Sequence, residues 1–243
     1  MARLILLLTT ALAFTGCGQI WLPESAERRI GELASGHMLE RTPRVENSPW
    51  EAFVQDAGKK LAAASERPDY DYRFHIVASP EINAFALPDG QIFVTDSLLN
   101  AAGRDDDAVA AVLGHEIGHV ARRHGAEALQ SSIGLAAGGA AIFGFEGSLG
   151  RAAAGLASQL LELGYGRDME LEADLCSIRY LARLGRPPED GLKFLRLLAM
   201  REHERAGSMD YYLRSHPPTA ERIRYAEAYA ASVTVSTGPA LSR

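Results

Sequence analysis

The deciding stretch is Val112-Leu-Gly-His115-Glu116-Ile-Gly-His119-Val120. Asp105, Asp106 and Asp107 precede it and offer a cap and favourable negative charge at a helix start. A helix is predicted from Ala108 to about His124, ended by Gly125. Each helical residue turns about 100°, so residues four apart differ by about 40°. His115 and His119 then share a face and can bind one zinc ion through imidazole nitrogens. Glu116 comes from a neighbouring direction on the same turn. It can take a proton from a water that the metal activates and hand it to a leaving amine. On a solvated helix the same pattern would be a coincidence among polar residues. Here Val112, Leu113, Ile117 and Val120 surround it, and burying two His and a Glu without partners is costly. Gly114 and Gly118 weaken a helix and so need a packing reason. His124, five residues past His119, faces elsewhere and reads as a helix-end residue rather than a ligand.

A catalytic zinc takes three protein ligands and keeps one position open. The acidic run Glu170-Leu-Glu172-Ala-Asp174 lies on a second predicted helix, Met169 to Leu184. Glu170 and Asp174 share a face, whereas Glu172 points about 200° away from Glu170. Glu170 is therefore the expected third ligand. Asp174 is placed to hold the free N–H of a zinc-bound histidine from behind. Without the first motif, all three acids would read as a solvated helix face.

The chain has 243 residues, 47% hydrophobic and 23% charged, which suits a folded domain rather than a disordered one. Lys and Arg total 25 against 31 acids, a net charge of −6, so a nucleic-acid partner is disfavoured. Two cysteines exclude a disulfide framework or a Cys-rich zinc module. No apolar run reaches the roughly 18 residues of a spanning helix.

Residues 1–16 read as a leader, with Arg3 before the short apolar stretch Leu4 to Phe14. Thr15-Gly16-Cys17 resembles the lipobox of bacterial lipoproteins, although Phe14 departs from the usual Leu. Cys17 would then carry a lipid anchor, and Gly18 resembles the signal for the outer membrane. The alternative is a plain secretory signal, with Cys17 free or paired with Cys176. Residues 17–49, with Pro23, Pro43 and Pro49 and few periodic apolar positions, read as an N-terminal arm and tether. Residues 50–232 read as the folded domain and 233–243 as a flexible tail. A helix is expected over Trp50 to Ala64, strands over Tyr72 to Ala78 and Gln91 to Thr95, and late helices over Glu189 to about Ala206 and Thr219 to Ser232. The Ala/Gly-rich segment 131–157 reads as a buried or interfacial helix.

Four segments in order carry a family resemblance: Asn83-Ala-Phe-Ala-Leu-Pro-Asp-Gly-Gln-Ile-Phe-Val-Thr95, HEIGH at 115–119, ELEAD at 170–174, and Ser215-His216-Pro217-Pro218-Thr-Ala-Glu221-Arg222-Ile. Together they resemble the zinc metallopeptidase family of HtpX, the CAAX prenyl protease and the periplasmic proteases BepA and LoiP, and look most like its LoiP-like lipoprotein branch. The resemblance implies an α+β fold, a mostly helical, gluzincin-like zincin with a small sheet beside the active-site helix. It implies one Zn2+ per chain and Glu170 as third ligand. It places His216 near the metal, either as a latent fourth ligand that holds the enzyme off or as a stabiliser of the oxyanion. Arg222 is expected to pair with a nearby acid. Asn83 and Gln91, Ile92, Phe93, Val94 and Thr95 are expected to form a sheet edge to which an extended peptide adds.

The resulting expectation is a zinc-dependent endopeptidase on polypeptide substrates, misfolded or unassembled envelope proteins, at the periplasmic face of the outer membrane. The rival is a lipid-anchored chaperone or binding protein that keeps zinc without proteolysis. An intact Glu116 favours the enzyme, since a structural site needs no general base.

Overall fold

The computed structural model describes residues 22–135, 164–202, 215–217 and 220–234. The expected leader, Cys17 and most of the Ala/Gly-rich segment lie outside these residues. None of the described helices is long and apolar enough to cross a membrane.

Helix α1 (Glu24–Arg41) and α2 (Glu51–Ala63) come first, then strands β1 (Arg73–Val77), β2 (Ala84–Ala86) and β3 (Gln91–Thr95). Short α3 (Asp96–Ala102), central α4 (Asp106–Ala121) and α5 (His124–Leu135) follow. Then come α6 (Arg167–Arg183), a 3-10 turn (Pro188–Leu192), α7 (Lys193–Glu202) and α8 (Ala220–Ser232). A mostly helical α+β architecture with one small sheet results, as expected from the motifs.

The strand order is β1-β3-β2, with β1 parallel and β2 antiparallel to β3. The expected edge strand is therefore corrected. Gln91, Ile92, Phe93, Val94 and Thr95 form the middle strand, bonded to a neighbour on each side. Their apolar run explains this. Ile92 and Val94 face the main core with Phe74, Ile76, Ala84 and Ala86, while Phe93 faces a second cluster with Val77 and Leu87. A strand buried on both faces reads as continuous rather than alternating hydrophobicity. The edge falls to Ala84–Ala86, immediately after Asn83.

Residues 24–41 are also not a tether. They form α1, which packs Ala34, Met38 and Leu39 against Phe93 and Phe85. The contact is close and partly polar. Gly31 lies so near Asp89 that an added Cβ would sit 2.3 Å from its backbone nitrogen, and Ser35 Oγ donates to Asp89 Oδ2 at 2.6 Å. Ala26 and Ile30 of the same helix pack against Leu22, Ala126 and Leu129, but Glu27, Gly31 and Ser35 are buried among these positions and interrupt the apolar stripe.

Asp105 caps α4, accepting from the Asp107 and Ala108 amides. Every residue from Ala108 to Ala121 is buried. The helix ends before Gly125, because Arg123 adopts a left-handed φ of 62°. That conformation costs about 1–2 kcal/mol for a residue with a Cβ. It is offset by the Arg123 guanidinium, which donates to Glu27 Oε2 at 2.7 Å and to the Leu22 carbonyl at 2.9 Å.

Helix α6 lies against α4 at the two glycines. A Cβ on Gly114 would stand 2.8 Å from Ser177 Oγ and 3.1 Å from its Cα. One on Gly118 would stand 2.9 Å from Cys176 Cβ and 3.2 Å from Ala173 Cα. Ser177 Oγ donates to the Ala111 carbonyl at 2.8 Å, fixing the helices in register. Gly118→Ala would gain up to about 1 kcal/mol of helix propensity but forces apart two backbones that cannot yield. We expect a net loss of about 1–2 kcal/mol, a fall in Tm of about 2–8 °C by thermal melting. An unchanged or raised Tm would show that the close approach is not required.

Candidate metal centre

The α4–α6 contact sets Glu170 and Asp174 of α6 beside His115 and His119 of α4. His119 Nε2 lies 3.0 Å from His115 Nε2. Glu170 Oε1 is 3.4 Å from His119 Nε2, and Glu170 Oε2 is 3.6 Å from His115 Nε2. His216, in the segment before α8, brings Nδ1 to 2.8 Å from Glu170 Oε1 and 3.4 Å from His115 Nε2. All four residues are buried, and their ligand atoms lie within 4.8 Å of one another, so the group could hold a metal ion.

The donor chemistry fits zinc. Tetrahedral ligands at about 2.0–2.1 Å from zinc stand about 3.3 Å apart, close to the separations found here. Both histidine Nδ1 atoms are committed elsewhere. His115 Nδ1 is 3.0 Å from Asp174 Oδ1, and an ionised carboxylate only accepts, so this nitrogen carries the proton. His115 Nε2 then presents a lone pair to the cluster, as a ligand must. Cys176 offers no competing thiolate. It is buried, its thiol is pushed up by burial, and its sulfur receives Arg179 Nη2 at 3.2 Å.

Asp174 is itself held. Arg222 of α8 donates Nε to Asp174 Oδ2 at 2.5 Å and Nη2 to Oδ1 at 2.9 Å. Arg222 Nη1 donates to the Pro217 carbonyl at 2.9 Å and sits 2.8 Å from Glu170 Oε2. One guanidinium thus ties together the His115 partner, the candidate third ligand and the loop carrying His216. Burial alone would raise the Asp174 carboxyl, but Arg222 and His115 together outweigh it and hold the group below its usual range. Burial would likewise raise Glu170, and the surrounding His216, His119 and His115 hold it well below.

Glu116 is different. It is fully buried, and among the described residues neither carboxylate oxygen makes a hydrogen bond of good geometry. His216 Nε2 is 4.0 Å from Oε1, and the Ala86 backbone amide of β2 favours the ionised carboxyl less than His216 and His115 do. Burial pushes this carboxyl up from the ordinary range.

Pattern reading on its own misses two further groups. Tyr165 stacks on the His119 ring, centroids 3.9 Å apart and planes 17° from parallel. Nothing in its Gly164-Tyr165-Gly166 setting marks it. His124 reaches the other side of His119, with Nδ1 to Nδ1 at 2.9 Å. Asn83 is buried at the start of the edge and exchanges hydrogen bonds with Thr95.

Replacing Arg222 by Met would leave two buried carboxylates without their cation. Breaking such a pair from one side costs about 3–5 kcal/mol. The metal-free protein should lose about 6–15 °C in Tm, and Arg222→Lys should recover only part, since an ammonium cannot grip both Asp174 oxygens. Equal melting of wild type and Arg222→Met would exclude this role.

A model described as Peptidase family M48 matches residues 50–230. Mitochondrial metalloendopeptidase OMA1 of Arabidopsis thaliana is 31% identical over 71% of this chain and 35% of its own length. Metalloprotease LoiP of Escherichia coli K12 is 32% identical over 63% of this chain and 60% of its own length. A beta-barrel assembly-enhancing protease of Yersinia pestis is 26% identical over 71% of this chain and 37% of its own. The chain therefore spans less than two thirds of each of these relatives. On the family match and the buried His-His-Glu-His cluster together, the chain belongs to peptidase family M48.

Proposed function

We propose that this chain is a zinc-dependent endopeptidase. The observation that carries the reading is Glu116, a fully buried carboxylate with no well-formed hydrogen bond among the described residues, beside four buried side chains that could hold a metal. An unpartnered buried carboxylate costs several kcal/mol. Such a cost is retained where the group must accept a proton from something that enters the site.

His115, His119 and Glu170 would hold the zinc. When bound, zinc supplies a Lewis acid that polarises a peptide carbonyl and acidifies water. Glu116 takes the proton of the attacking water and passes it to the leaving amine. Asp174, fixed by Arg222, keeps His115 in the tautomer whose Nε2 is free to ligate. The substrate backbone adds to the free edge of β2 at Ala84–Ala86, which leads toward Glu116 through Ala86. Asn83 closes the start of that edge.

His216 completes the cluster on its fourth side. We read this as a closed resting arrangement, in which His216 gives way when a peptide carbonyl arrives. The substrates would be misfolded or unassembled envelope proteins. This draws on the printed name of the Yersinia relative, a beta-barrel assembly-enhancing protease. The setting would be the periplasmic face of the outer membrane, with Cys17 as lipid anchor. The leader and lipobox pattern supports that placement.

The test compares wild type with Glu116→Gln on unfolded casein, with zinc content measured for both. General acid–base groups contribute about 10²–10⁴-fold, so cleavage should fall by at least about 10²-fold at equal zinc content. His216→Ala should raise cleavage if His216 closes the site. Equal cleavage by wild type and the Glu116→Gln variant would overturn the mechanism. Zinc binding without cleavage by wild type, even after His216→Ala, would favour the lipid-anchored binder.

A further inference from the structure

His124 would not meet His119 on an unbroken helix. Five residues at about 100° each would place it about 140° around the axis. The left-handed Arg123 ends α4, and α5 starts at His124 itself. The chain doubles back at that point, so His124 Nδ1 lies 2.9 Å from His119 Nδ1. His124 is 1% exposed, and its other nitrogen, Nε2, lies 3.1 Å from Glu172 Oε2. Glu172 Oε1 is ion-paired with Arg122. Glu172 is the acid that helix geometry turned away from the metal face.

With His124 neutral, these contacts are met by the following set of protons. The Glu172 carboxylate only accepts, so His124 Nε2–H donates to it. His124 Nδ1 then carries a lone pair and accepts from His119 Nδ1–H. That leaves His119 Nε2 unprotonated and facing Glu170 and His115. Tyr165 stacks on the face of the same ring and blocks its tilt. His115 is served by one carboxylate directly, Asp174. His119 is served by one carboxylate through an intervening imidazole.

We infer that His124 and Glu172 are positioning residues that lock His119 in the tautomer and orientation of a metal ligand. The inference rests on reading His119 as a zinc ligand. The break at Arg123 belongs to the same device, since the left-handed residue there ends α4 where His124 meets His119. Its hold on Glu27 of α1 connects the N-terminal helix to the metal centre.

The experiment measures zinc affinity of the full chain by competition with a chromophoric chelator, with melting of each metal-free protein alongside. The proteins are wild type, His124→Leu, His124→Gln and Glu172→Ala. Loss of a partner behind a ligating histidine weakens metal binding by about 10–100-fold. His124→Leu should fall in that range while melting much as wild type. His124→Gln should recover most of the loss, because its amide oxygen can accept from His119 Nδ1–H. Glu172→Ala should weaken zinc by about tenfold, since His124 is then free to take the tautomer that cannot accept. A His124→Leu protein that binds zinc as tightly as wild type would overturn the inference, as would a His124→Gln protein no better than His124→Leu. Glu172 is 40% exposed, so its variant keeps its fold and decides the matter if His124→Leu does not. Wild-type affinity in Glu172→Ala would then be the refutation. Absence of zinc binding by wild type would instead remove the ligand reading, and this inference with it.

Discussion

Two helix backbones approach at Gly114 and Gly118 more closely than any side chain would allow, and the metal centre depends on that contact. The α4 glycines sit opposite Ala173, Cys176 and Ser177 of α6. A single Cβ at either position would meet atoms under 3.0 Å away. Because the helices touch there, His115 and His119, each next to a glycine, and Glu170 and Asp174 on α6 share a buried space. The helix propensity given up at two glycines is about 1 kcal/mol each. It is returned as proximity between groups that otherwise would not meet.

That proximity creates an electrostatic problem with a definite answer. Glu116, Glu170 and Asp174 are all buried, and Arg222 is the buried guanidinium paired with two of them. Three carboxylates against one guanidinium leave an excess of two negative charges when all are ionised. A divalent cation removes that excess. The same account explains the different environments of the acids. Asp174 and Glu170 are surrounded by cationic and imidazole partners that hold them ionised, whereas Glu116 faces burial with little relief. One acid is left ready to carry a proton while its neighbours hold position.

Much of this arrangement is legible in the sequence, and the failures have physical causes. Four-residue spacing places His115 with His119 and Glu170 with Asp174, because helix geometry is nearly invariant. The glycines ask for a close contact, and α6 supplies it. The edge expected at Gln91 to Thr95 is instead the sheet's middle, and its unbroken apolar run is the mark of a strand covered on both faces. Helix α1 escapes pattern reading because Glu27, Gly31 and Ser35 are buried alongside its apolar residues and blur the stripe. His124 faces away from His119 only if the helix is unbroken. One left-handed arginine removes that condition, and no pattern of apolar residues signals such a position. Arg222 does find an acid, but nothing in one sequence could say that the acid would be Asp174 of another helix.

The central claim is that α4 and α6 together make a nitrogen-and-oxygen zinc site with Glu116 beside it. Crystals grown with equimolar zinc, with diffraction recorded on both sides of the zinc absorption edge, test it most directly. One anomalous peak is expected per chain, about 2.0–2.2 Å from His115 Nε2, His119 Nε2 and a Glu170 oxygen. Asp174 and Cys176 should not ligate. A peak held by other residues, or none in this space, would contradict the claim.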